Sequence, residues 1–154
     1  MVKTKCLYDP PDLSDGERVL VTRFWPRGTS QARLCIAEWM KVLAPSATLL
    51  SDWKDGRISW DEYEDRYRAE MASQRAVIAT LAFRARYCTV TLLCYEREED
   101  PHCHRYLLKK LIVAAQTKHR SGSHKQEPQD ERNEPASPRR HRRPETDSTV
   151  MRPV

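Results

Sequence analysis

Cys88-Thr-Val-Thr-Leu-Leu-Cys94-Tyr-Glu96 ends an apolar run on a thiol and a carboxylate. Asp100-Pro-His-Cys103-His104-Arg105 follows after a short acidic loop. Nucleophile, base, metal-ligand and anion-binding chemistry therefore gather at one strand–loop–helix unit. If the helix opens at Asp100, Cys103 falls near its third position. There the partial positive charge of the helix start, with Arg105 nearby, favours thiolate. His102 or His104 would then be the proton acceptor of a nucleophilic cysteine. The bland alternative is a small, partly buried Cys103 without reactivity. A phosphate-binding Cys-x5-Arg loop is not indicated, because Lys109 stands in the arginine slot.

The same types can be read in two further ways. Cys94, Glu96, His102, Cys103 and His104 are all zinc or iron ligand types. Neighbouring helical side chains diverge by roughly 100°, so they cannot all face one ion. Cys94, Cys103 and one histidine, His104 for example, are the most that spacing allows, and the alternative they give is a metal-binding or redox protein using Cys94 and Cys103. The leading reading assigns no metal and predicts a pocket for a small anionic molecule, nucleotide-like or phosphorylated. Free N–H groups at the helix start, with Arg23, Arg27 and Arg105, would hold the anion. Trp25 offers a ring for stacking, and Glu96, Cys103 and His104 are the candidate catalytic groups. Against it stands a plain brace, in which Arg23 and Arg27 pair with Glu96 and Asp100. No cofactor follows from these residues, and the sequence leaves turnover open.

These groups need elements to position them. Lys3–Tyr8 is a short strand candidate. Arg18-Val-Leu-Val-Thr-Arg23 is a firmer one, apolar enough for a sheet covered on both faces. Phe24-Trp-Pro-Arg-Gly28 breaks regular structure after it. Leu34, Ala37, Met40 and Val42 lie near helical spacing, which predicts a helix over residues 34–43 stopped by Pro45. Ser46 caps a short helix reaching Trp53 and closed by Gly56. Ser59-Trp-Asp-Glu62 is a capping box. Behind it Trp60, Tyr63, Tyr67, Met71, Ile78 and Leu81 form an apolar stripe, read as core, with a break near Ala72–Ser73. Thr89–Cys94 is the third strand. Asp100 as N-cap and Pro101 as first residue open a last helix that buries Leu107, Leu108, Leu111, Ile112 and Ala115.

Strands separated by helices predict an α/β fold, a small and mainly parallel sheet flanked by helices. Ligands of such sheets bind beyond the strands' carboxyl ends. The loops after Arg23 and Cys94 would then open on one edge.

The folding unit is expected over residues 1–116. Residues 117–154 hold four hydrophobic residues and five prolines, too little apolar surface to offset ordering, which predicts a disordered basic tail. Its cluster Arg139-Arg140-His141-Arg142-Arg143 could make weak, salt-sensitive nucleic-acid contacts. No run approaches the roughly 20 apolar residues of a membrane span. With no secretion-type leader and five cysteines lacking a Cys-x-x-Cys, a cytoplasmic protein with reduced thiols is expected.

The residues singled out resemble the uncharacterised-domain family 488 (DUF488), which includes YeaO-like proteins. Arg18-Val-Leu-Val-Thr-Arg-Phe-Trp-Pro-Arg-Gly28 is similar to its first signature, and Trp39 with Leu43-Ala-Pro-Ser46 to its second. Trp60–Glu70 resembles its aromatic helix. Val90–Glu96 with Cys103-His104-Arg105 resembles the Cys-x-Glu…Cys-His-Arg ending of one branch. The resemblance spans about residues 3–113 and implies a compact α/β domain without lending an activity. It also implies that Arg23, Arg27, Cys94, Glu96, Cys103, His104 and Arg105 are the recurring polar residues. Thr22 departs from it, standing where relatives commonly carry Asp. If that carboxylate is catalytic, this chain would bind a ligand without turning it over. No Walker loop or Gly-x-Gly-x-x-Gly is present, against ordinary NTPase or dinucleotide chemistry.

Overall fold

In the computed structural model residues 1–121 are described. Four strands, β1 (Val2–Cys6), β2 (Glu17–Leu20), β3 (Glu38–Trp39) and β4 (Val90–Cys94), form one sheet in the order β1-β4-β2-β3. All three pairings are parallel. The helices are α1 (Ala47–Lys54), α2 (Trp60–Met71), α3 (Arg75–Tyr87) and α4 (His104–Ser121). The α/β architecture and parallel sheet expected from the sequence are present.

Side-chain alternation along the strands makes two cores. Val19, Val21, Val90 and Leu92 face one side, packed against Tyr63, Tyr67 and Met71 of α2, Ile78 and Leu81 of α3, and Leu107, Leu108 and Ile112 of α4. Leu20 and Leu93 face the other, where Leu7, Leu34 and Ile36 cover them with Trp25 and Tyr95 at the margin. Among the described residues the helices thus cover one face, and loop residues cover the other. Burying one large leucine or isoleucine contributes about 1.5–3 kcal/mol, so both layers matter to stability.

Local signals explain most elements. Ser46 Oγ accepts the Leu49 N–H at 3.1 Å and starts α1. Ser59 Oγ accepts the Glu62 N–H at 3.2 Å and starts α2. The expected return bond is replaced, because the Glu62 carboxylate pairs with Arg66 at 2.6 Å. A single 3-10 turn, Ala72–Gln74, separates α2 from α3, where the break was expected. Tyr67 donates its hydroxyl to the Leu43 carbonyl at 2.7 Å and ties α2 to the segment before α1.

The helix predicted over residues 34–43 is corrected. Leu34 and Ile36 turn toward the loop-covered core while Met40 and Leu43 join the helical one. No single helical stripe could serve both layers. Instead β3 adds to β2, pairing Val19 with Glu38 and Leu20 with Trp39. Leu13–Asp15 and Lys41–Leu43 form further 3-10 turns.

The last helix also starts later than expected. The Asp100 carboxylate accepts the His102 N–H at 2.9 Å, closing a local turn, and α4 opens only at His104. At its other end α4 runs to Ser121, past the expected boundary at 116. The rest of the segment predicted as a tail, with its basic cluster, lies outside the described residues. Among those residues no helix is long and apolar enough to cross a membrane.

Candidate functional site at the carboxyl edge of the sheet

β4 ends at Cys94 and β2 ends just before Val21, so both chains leave the sheet along the same edge. A cavity of about 270 Å³ opens there. Its wall takes Thr22 and Arg23 from the loop after β2, and Cys94 and Glu96 from β4 and its loop. Trp53 and Lys54 come from α1, Tyr63 from α2, and His102, Cys103 and His104 from the start of α4. A larger cavity of about 380 Å³ lies elsewhere, among Arg68, Met71, Ile78, Leu111 and Ala115. It lacks the convergence of thiol, carboxylate and imidazole that marks a chemical site.

The floor of the smaller cavity is tightly built. Cys94, Cys103 and His104 are all buried. The Cys94 thiol donates to Glu96 Oε2 at 2.7 Å, and the Cys103 thiol meets the same oxygen at 3.3 Å. His104 Nδ1 lies 3.9 Å from Cys94 Sγ, and its Nε2 lies 2.7 Å from the Val21 carbonyl. A carbonyl only accepts, so Nε2 carries hydrogen and Nδ1 faces the sulfur.

Electrostatics follow from this packing. Burial works against an ionised Glu96, yet the Cys94 thiol, a backbone N–H, the Cys103 thiol and nearby His104 outweigh it and lower its pKa. Burial likewise opposes a charged His104, but Cys103, the Val21 carbonyl and Glu96 together raise its pKa. For Cys103 the neighbouring Cys94 sulfur, then burial, push the thiol up. The low-pKa nucleophile expected at Cys103 is therefore corrected. It precedes the helix rather than sitting inside it, and it faces another sulfur.

Arg23 reaches the cavity, with Nε donating to the Pro45 carbonyl at 2.8 Å and Nη2 to that of Ala44 at 3.3 Å. Arg105 does not. It is fully buried and donates to the carbonyls of Lys5, Glu96 and Arg97 and to the Tyr106 hydroxyl. Its guanidinium braces the loop that carries Glu96, which explains why arginine, with its five donors, stands there. Trp25 donates to the Thr29 carbonyl at 2.8 Å and packs edge-on to Trp39, outside the cavity wall. Arg27 is exposed and also lies off that wall. Of the brace alternative, Arg23 does brace, but through backbone carbonyls rather than Glu96 or Asp100.

Sequence reasoning missed Trp53, Lys54 and Tyr63 as wall residues. Trp53 and Trp60 both contact the His102 ring, at 5.7 and 4.9 Å between centroids. Tyr63, read as core, is buried and also forms part of the wall. Thr22 donates its hydroxyl to the Phe24 carbonyl at 2.8 Å, which uses its one proton within the loop.

A parallel α/β sheet with Cys94, Glu96, Cys103, His104 and Arg105 clustered at its carboxyl edge defines a class of small domain. The chain belongs to the DUF488-N3a family, described as the active DUF488-N3 subclade, whose profile matches residues 2–116. It is 33% identical over 107 residues to the uncharacterised protein YeaO of Escherichia coli (strain K12), covering 70% of this chain and 92% of that one. It is also 33% identical over 76 residues to an uncharacterised Mycobacterium bovis protein, Mb3100c, covering 49% and 64% respectively. No solved structure matches.

Proposed function

We propose that the cavity at the strand ends binds a small anionic molecule, nucleotide-like or phosphorylated. The observation that carries this reading is the mixed wall: Arg23 and Lys54 from separate elements stand beside the rings of Trp53 and Tyr63. The two cations would meet the anionic group, and the rings would contact a planar or sugar portion. Glu96, held ionised, would accept hydrogen bonds from the ligand's hydroxyl or amine groups. Its lowered pKa suits an acceptor better than a general base poised near neutrality. Cys103 and His104 lie behind it as the remaining candidate chemical groups. On this reading the protein works in the cytosol, where its five unbridged cysteines would stay reduced.

Thermal shift and calorimetric titration with adenosine 5′-monophosphate and inorganic phosphate test it. Binding is expected to raise the melting temperature of the native chain. Arg23→Ala and Lys54→Ala should each weaken it about 10-fold, the scale of one charged hydrogen bond. Equal shifts in native and variant chains, or none in the native chain, would remove the proposal.

A further inference from the structure

We propose that Cys94, Cys103 and His104, with Glu96 beside them, form a zinc-type metal centre at the floor of the cavity. The inference requires no anionic ligand, although it shares Glu96 with that reading. Its first support is compactness. One ligand atom from each of the three residues lies within 4.8 Å of the others. A tetrahedral ion with Zn–S of about 2.3 Å and Zn–N of about 2.0 Å needs ligand atoms about 3.5–3.8 Å apart. Cys94 Sγ and His104 Nδ1 already stand 3.9 Å apart. The remaining contraction is at most about 1.3 Å, within reach of small side-chain rotations.

Orientation is the second support. The Val21 carbonyl takes the Nε2 hydrogen at 2.7 Å and leaves the Nδ1 lone pair facing the sulfurs. A ligating imidazole held by a carbonyl on its far nitrogen is the usual outer-shell arrangement of metal sites. Third, both thiols converge on a single carboxylate oxygen, Glu96 Oε2. An ion entering between them would replace these two S–H···O contacts by two S–metal bonds. Both thiol protons leave to solvent, and two thiolates with a neutral imidazole balance a divalent charge. Glu96 then either completes the tetrahedron or accepts a hydrogen bond from a metal-bound water. Two cysteines and one histidine with a fourth position toward a cavity is a known pattern for catalytic zinc.

The full chain, stripped of metal under reducing conditions, is titrated with Co²⁺ and then Zn²⁺. One ion per chain is expected, with a near-ultraviolet thiolate-to-cobalt band and release of two protons. Cys94→Ser and Cys103→Ser should each remove about half of the band's intensity per bound ion, one of two thiolates, and weaken zinc at least about 100-fold, beyond the usual cost of an outer-shell change. Cys35→Ser, at an exposed thiol, should change nothing. Should the serine variants fold poorly, X-ray absorption on the zinc-loaded native chain decides. Two sulfurs near 2.3 Å, as in thiolate zinc sites, support the proposal, and a shell of nitrogen and oxygen alone overturns it. Absence of the band in the native chain, or its survival at full intensity in Cys94→Ser, also overturns it. Arg23→Ala should leave zinc binding intact, which separates this test from that of the anionic ligand.

Discussion

Two buried polar clusters lie on opposite faces of the sheet. On the loop-covered face Asp15 is gripped by Lys5 at 3.1 Å, by the buried guanidinium of Arg18 and by the Asp12 N–H at 3.1 Å. On the helical face Cys94, Cys103 and His104 surround Glu96 and border a cavity. In the first cluster the carboxylate is saturated by groups of the protein itself, two cations and a backbone N–H. In the second, two thiols share one oxygen and an imidazole nitrogen faces a sulfur at 3.9 Å. Saturated charge braces a fold. Donors that share one acceptor beside open space can take up something else.

If that contrast holds, the largest stability loss should come from the brace. Asp15→Ala would leave Arg18 buried without its counter-charge and should cost about 3–5 kcal/mol, read by denaturant unfolding. A loss below 1 kcal/mol would erase the distinction between the clusters. Gly16, next in the chain, has φ +61° and a Cβ there would lie 2.3 Å from the Thr89 carbonyl oxygen. Gly16→Ala should therefore cost about 3 kcal/mol from strain and displacement together, visible in the same unfolding curves.

Acid should expose the brace next. Burial would raise the Asp15 pKa, but the Asp12 N–H, Arg18 and Lys5 outweigh it and hold it below the ordinary value. Its contribution to stability is present above about pH 4, the unfolded value, and is lost as pH falls through the depressed folded pKa. Unfolding curves between pH 5 and 2 should show less acid sensitivity in Asp15→Asn than in the native chain; equal sensitivity would count against the brace. The smallest effect is expected at the other cluster. Glu96→Gln keeps an oxygen for the two thiols and should cost about 1 kcal/mol or less. A cost matching that of Asp15→Ala would mark Glu96 as a second brace.

The readable parts of the sequence were those with local causes. Ser46 and Ser59 cap helices through their own side chains, and the Trp60–Leu81 stripe needs only helical spacing. The gathering of Cys94, Glu96, Cys103 and His104 followed from their place on one strand–loop–helix unit, and parallel strands bring the loop after β2 to the same edge. Residues 34–43 misled because Leu34 and Ile36 serve one face of the sheet while Met40 and Leu43 serve the other. The two sets follow one another, and with the exposed Ala37 and Val42 between and among them they give a spacing that imitates a helix. Arg105 misled for a different reason. Whether a guanidinium meets a ligand or a carbonyl depends on distant chain, here Lys5 at 3.2 Å. Trp53 and Lys54 left no local signal, since only the packing of α1 beside α2 brings them to the wall.

The most direct measurement is a titration of the isotope-labelled protein with adenosine 5′-monophosphate, followed by backbone amide resonances. The amides of Thr22, Arg23, Trp53, Glu96 and His102 should move together with saturating amplitude, while those of Lys5, Asp15 and Arg18 stay in place. Movement confined to the Asp15 cluster, or none at the cavity wall, would contradict a ligand site at the carboxyl edge of the sheet.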